Sequence, residues 1–293
     1  MDNQEMVETV VISATKQKEW TWPAAANFIL GGAGAGFYLL SLLNMVLEYG
    51  MSITTQPVLF GMLAPMIMGL GFVFLVTEAG RPFRGRYLLC HLQKAWISRE
   101  TLAFTFFAPA VVLDQLFPHP FFKTWAALSA LAIMITQGFI VYSSRAVTAW
   151  NVSIMPLFFI SSGFVSGSGM ALLLAASGML PIGGGLVLIS LICTIINLII
   201  WIIYLQWSSA IGFQSATEAL HRPFMIFIII ALGHALPILM LLLIQIQLYI
   251  GMEKTFSGTF AMVSGLAVII GVIAQKVGIV LSSGYLKKIV LKF

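Results

Sequence analysis

Eight apolar runs, roughly 25–47, 57–77, 101–117, 124–144, 153–177, 184–206, 224–248 and 259–283, occupy most of this 293-residue chain. The hydrocarbon core of a bilayer is crossed by about 20 apolar residues in helical form, and in lipid a helix satisfies its own backbone groups. The expectation is therefore an all-α integral membrane protein with eight transmembrane helices. The breaks between the runs carry turn chemistry: Gln56-Pro57, Pro118-His119-Pro120, Pro181-Ile182-Gly183-Gly184-Gly185, Arg222-Pro223 and Ser257-Gly258. Only 9% of the residues are charged against 60% hydrophobic, where a soluble domain carries roughly a quarter charged. Soluble, disordered, nucleic-acid-binding and disulfide-rich secreted classes are excluded, and the net charge of +5 reads as loop charge beside membrane lipid.

The polar N-terminal segment lacks a basic start, apolar stretch and small-residue cleavage site, so no signal peptide is expected. With eight crossings both termini share a side. On that side fall Lys16, Lys18, Arg81, Arg84, Arg86, Lys94, Arg99, Arg145, Arg222, Lys287, Lys288 and Lys292, against Lys123 and Lys254 opposite and Lys276 inside a helix. The positive-inside rule then places both termini in the cytoplasm of a multi-pass protein of the inner membrane. The alternative explanation, compatible with the first, is that the arginine-rich loop 81–99 docks an acidic partner.

An internal repeat organises the halves. Pro23, Gly34, Gly36, Leu39 and Leu40 correspond to Pro156, Gly167, Gly169, Leu172 and Leu173 at a constant offset, and Arg81-Pro82-Phe83 recurs as Arg222-Pro223-Phe224. Four crossings separate the partners, so the repeats are parallel. Two tandem four-helix bundles are expected, 25–150 and 151–293, after a cytoplasmic segment 1–24.

Two cysteines cannot hold an iron–sulfur cluster, and His91, His119 and His221 in loops or at helix ends leave His234 no second haem ligand at depth. Gly31 to Gly36 follows no strand, so a phosphate loop is a poor reading. Gly32 and Gly36 instead offer a small-residue face for close helix approach, or bare backbone against a flat ligand ring. Polar residues at depth are costly and thus functional candidates. Glu78 closes the second helix and Glu100 opens the third, near one membrane face, which suits both to proton transfer; alternatively Glu100 is a first-turn charge favoured by the helix dipole with Ser98 as cap. Lys276 is read as a proton relay or counter-charge to a quinone oxygen, or as a lysine snorkelling to the edge. His234 is read as a donor to a ligand carbonyl or as a hydrogen-bonded packing residue. Asn27, Asn44, Gln137, Asn197, Gln245 and Gln275 are read as interhelical hydrogen-bond partners, and Tyr142 and Trp150 as members of an interfacial aromatic belt.

Trp20-Thr21-Trp22 with the small-residue stretch 31–36, Gly80-Arg-Pro-Phe-Arg84, Trp96-Ile-Ser98-Arg99-Glu100, Thr148-Ala-Trp150 through Pro156, and Gly284-Tyr285 after a lysine in the eighth helix follow one another among the eight runs. In this order the chain resembles the membrane subunits of the DMSO-reductase-anchor and polysulfide-reductase (NrfD-type) superfamily, and among them those of the phenylacetyl-CoA:acceptor oxidoreductase and sulfite dehydrogenase type. The resemblance implies a quinone-reactive anchor of anaerobic-respiration electron transport that carries no haem or cluster. It implies a four-cluster iron–sulfur partner, a molybdopterin catalytic partner, and menaquinone or ubiquinone as exchangeable substrate. It further implies that Glu100 and Tyr142 lie near the quinol. The mechanism expected on that basis has Glu100, with Glu78 as alternative, exchange protons, and Tyr142, Arg81 and Asn27 hydrogen-bond the quinone oxygens; His234 and Lys276 are further quinone-binding candidates from their depth, and Arg84, Arg86, Lys94 and Arg99 are the residues expected to dock the iron–sulfur subunit. The sequence departs from the family at Glu78, where His or Asp is frequent, and at Gln275 and Ile279, where some members carry Glu and Arg. The competing expectations are a secondary transporter or channel, drawing on the repeat and Lys276, and a structural anchor without a quinone site.

Overall fold

Among the described residues are eight helices long and apolar enough to cross a membrane. The structure, a computed structural model, describes residues 8–49, 58–78, 89, 91–207, 212–251, 256–287 and 289–292. The helices are α1 (Trp22–Tyr49), α2 (Val58–Glu78), α3 (Trp96–Leu116), α4 (Pro120–Ser143), α5 (Met155–Ala176), α6 (Gly184–Leu205), α7 (Pro223–Ile250) and α8 (Ser257–Ser282). Large apolar side chains such as Met66, Val73, Leu128, Leu157, Ile199 and Phe227 face outward, a surface matched to lipid tails rather than to water.

Within each half the helices close a ring, α1 to α2 to α3 to α4 and back, and α5 to α6 to α7 to α8 and back. The rings meet where α5 packs on α1 and α4, so α1, α4, α5 and α8 are the most buried helices. The α1/α5 contact is made by bare backbone, as the small-residue face leads one to expect. A Cβ at Gly36 would collide with the Gly163 carbonyl, and one at Gly167 with the backbone of Gly36 and Phe37. Without a hydrophobic force between helices in lipid, such close approach supplies the dispersion contact that holds them. No room for a flat ring remains between these glycines.

Three local departures from the sequence reading bear on function. First, α3 begins at Trp96, not near 101, because Trp96, Ile97 and Glu100 pack inward instead of forming a polar loop. Ala95, extended at φ −118° and ψ 123°, precedes the helix with no side-chain cap, while Ser98 is buried in the first turn with its hydroxyl unpartnered. The alternative in which Ser98 caps the helix is thus overturned. Second, α7 winds as a π-helix over Phe227–Ala235 before returning to α-helix at Leu236. Pro237 lacks an N–H for the turn before it, and Gly233 lets the backbone meet Gly271 of α8 closely, both of which favour a widened turn. Third, the end of α8, Gly278–Ser282, is also π-helical, and the freed Ile279 carbonyl accepts from Trp150 Nε1 at 2.9 Å.

The fold is not wholly helical. Strand β1 (Glu8–Ile12) pairs antiparallel with β2 (Ile289–Lys292), and Lys16 with Tyr285 and Val147 with Leu286 form isolated bridges beside it. Both ends of the described chain therefore lie together, on one side of the bundle. Trp150, expected in an interfacial belt, is buried instead, stacked on Trp20 at 4.8 Å under this terminal face.

Candidate functional site

Charged and amide groups at depth form three clusters, while Gln275, expected to bond across helices, is buried with neither amide atom partnered. The first lies where α1, α3, α4 and α8 meet. Glu100, in the second turn of α3, is fully buried. Its Oε1 accepts from Gln137 Nε2 at 2.9 Å and from Asn27 Nδ2 at 3.2 Å. Gln137 Nε2 also donates to the Asn27 carbonyl at 3.3 Å. Lys276, equally buried, donates to the Phe28 carbonyl at 2.7 Å, stands 5.4 Å from the Phe159 ring, and lies within electrostatic reach of Glu100. Gly31 and Gly32 make this possible: a Cβ at the former would collide with the Gln137 amide, and one at the latter would come within 2.5 Å of Lys276 Nζ. Snorkelling is overturned for Lys276, since its ammonium ends inside the bundle against a backbone carbonyl. Glu100 is no first-turn surface charge either.

Chemically, this is a carboxylate with one oxygen held by two amides and the other, Oε2, buried without a partner. A carboxyl group fixed in this way presents one defined oxygen to a reacting proton. Asn27, Glu100 and Lys276, singled out from sequence, come together here; Gln137, read only as an interhelical partner, is the residue that binds the cluster together.

The second place joins α5, α6 and α7. His234, fully buried in the π-helical stretch, donates from Nδ1 to the Ile229 carbonyl at 2.6 Å, the five-residue spacing of a π-turn. Its Nε2 lies 2.9 Å from one end of the Asn197 side-chain amide, the other end of that amide lies 2.9 Å from Ser161 Oγ, and Ser161 Oγ stands 3.1 Å from the Phe158 carbonyl. Both ring nitrogens are thus engaged by protein, the packing alternative for this histidine.

The third place was missed by sequence reading. Asp114, buried near the far end of α3, accepts from the His119 N–H at 3.4 Å and lies within electrostatic reach of Lys123 and of the buried Tyr38 hydroxyl, which has no hydrogen-bond partner. Its signal was available: Asp114 follows Glu100 by about four turns, on the same buried face as Ala103, Phe107 and Ala110. Phe107, edge-on to Tyr38 at 5.2 Å, separates the two carboxylates.

The remaining candidates lie outside these clusters. Glu78 is half-buried at the end of α2, where its Oε1 accepts from the Thr21 N–H at the start of α1. Tyr142 is half-buried, its ring edge-on to Phe139 at 6.2 Å. Arg99 folds over the Trp96 ring at 4.0 Å and donates to the Leu92 and Gln93 carbonyls, so much of its hydrogen-bonding capacity serves its own loop. Lys94 is exposed. Arg81, Arg84 and Arg86 lie outside the described residues. Among the described residues no group of three or more His, Cys, Asp or Glu is placed to hold a metal ion.

Fold and site together define a multi-pass membrane protein of eight spans with a buried carboxylate, amide and lysine cluster joining its two halves. No model of a known protein family matches the chain, and no curated protein matches it either.

Proposed function

We propose that this chain is a quinone-reactive membrane-anchor subunit of NrfD type. In this reading it exchanges electrons between membrane quinone or quinol and an iron–sulfur subunit that docks on the loop 81–99 and serves a molybdopterin catalytic subunit. The observation that carries the reading is Glu100: a carboxylate at depth, one oxygen fixed by Asn27 and Gln137, the other without a partner, and a lysine at hand. Burying such a group is costly, and a chain that needed only an anchor would gain by replacing the cluster with apolar residues. Oxidation of a quinol releases two protons and two electrons. Glu100 Oε2 takes one proton from a quinol hydroxyl while Lys276 steadies the charge on that oxygen, the second hydroxyl gives its proton to water at the membrane face, and both electrons leave through the docked subunit. The orientation that goes with this reading, from the basic bias, puts the terminal face in the cytoplasm.

The test is Glu100→Gln in the assembled complex. Loss of turnover with a quinol analogue, with molybdenum and iron still co-purifying, is the expected result; turnover at the level of the unsubstituted protein would remove Glu100 from the reaction. The transport reading draws on a different observation, the π-helical stretch of α7 with its chain from His234 to Ser161. A chain that purifies alone and moves a solute across vesicles would favour that reading.

A further inference from the structure

The direction of each hydrogen bond around Glu100 follows from the chemistry of the groups. The side-chain amide of Gln137 faces both Glu100 Oε1 and the Asn27 backbone carbonyl. A backbone carbonyl only accepts, so this end of the amide is the NH2, with one hydrogen for each oxygen. Glu100 Oε1 is then already an acceptor, and the atom of the Asn27 amide that faces it at 3.2 Å is also the NH2. Turning either amide over would set oxygen against oxygen. The atoms left with no partner are consequently three oxygens, Glu100 Oε2, Asn27 Oδ1 and Gln137 Oε1, all buried. Hydrogens remain on Asn27 Nδ2 and Lys276 Nζ, but both nitrogens already have a partner.

We propose that the site discriminates between the redox forms of its ligand and holds the hydroquinone in preference to the quinone. The proposal rests on the quinone reading above and adds to it the form that is bound. A quinone carbonyl can only accept. It pairs with Lys276 and leaves the three oxygens as they are. With Glu100 ionised, a hydroquinone hydroxyl donates to its Oε2 while its own oxygen accepts from Lys276, so both kinds of group are served at once. Satisfying one buried acceptor that the quinone leaves orphaned corresponds to a preference of about tenfold.

The experiment compares 1,4-naphthohydroquinone, kept reduced without oxygen, with 1,4-naphthoquinone, binding each to the full chain in lipid nanodiscs and reading Kd by quenching of tryptophan fluorescence. The reduced form is expected to bind about tenfold tighter. Glu100→Gln puts an NH2 where Oε2 stood and turns an acceptor into a donor, so in this variant the preference is expected to vanish or reverse. Equal binding of the two forms, or tighter binding of the quinone, overturns the proposal and leaves the quinone site standing. Binding of neither form overturns the quinone reading with it. A tenfold preference that survives Glu100→Gln places the discrimination elsewhere and also overturns the proposal. The ratio measured on the unsubstituted protein decides even where the variant fails to fold.

Discussion

Replacing Lys276 with methionine keeps a straight side chain of similar length and deletes only the ammonium. Two losses follow. The Phe28 carbonyl loses its second donor but keeps its place in the helix, a cost of about 1 kcal/mol. Glu100 loses a positive charge within electrostatic reach, a support that ranks behind the amides of Gln137 and Asn27, at about 1–3 kcal/mol. Lys276→Met is thus expected to destabilise by about 2–4 kcal/mol. Glu100→Gln leaves the ammonium stranded in its turn, while the amide oxygen still accepts from Asn27 and Gln137. The double variant removes both charges together and is expected to be more stable than Lys276→Met alone, with a coupling of about 2–3 kcal/mol. Unfolding of the purified protein by SDS titration in mixed micelles measures all four corners of this cycle. If the two losses simply add, Glu100 and Lys276 are not a charge pair and the electrostatic account of the cluster fails.

Other consequences can be measured the same way. Gly36→Ala sets a methyl group against the Gly163 carbonyl and is expected to cost about 1–3 kcal/mol, whereas Gly258→Ala, which meets nothing within 4 Å, should stay within about 0.5 kcal/mol of the parent. Equal effects would deny that backbone contact holds α1 to α5. Asn197→Ala strips His234 Nε2 of its partner and should cost about 1–3 kcal/mol; no change would mean that the chain from His234 to Ser161 carries no stability. Glu78→Ala frees the Thr21 N–H at the head of α1, at about 0.5–2 kcal/mol, while Glu78→Gln keeps an accepting oxygen and should be near neutral in stability and in quinol turnover. Loss of turnover in Glu78→Gln would return that carboxylate to the reaction.

Much of the fold was legible because a bilayer leaves a chain few options. Length and apolarity located all eight spans, most within a few residues, and the small residues of α1 announced a close helix contact. The start of α3 was misread because polar residues in a row look like a loop; Glu100 is helical and buried only because Asn27 and Gln137 arrive from two other helices to bond it. The alternatives for Lys276 stayed open because hydropathy along one helix does not reveal that the Phe28 carbonyl and the gap over Gly32 await its ammonium. Asp114 and Tyr38 passed unnoticed since each is ordinary in its own helix. The β1/β2 pairing left no mark, because strands so short are defined by each other and not by a local pattern.

The sequence by itself determined the class of the molecule: eight apolar lengths that only a membrane can solvate, and so few charges that any placed at depth had to matter. Which of those charges meet was decided by tertiary structure alone. Asn27, Glu100, Gln137 and Lys276 are scattered over most of the chain, and the energy of burying each depends on the others being within a few ångströms, a relation that exists only once the two halves have closed on one another.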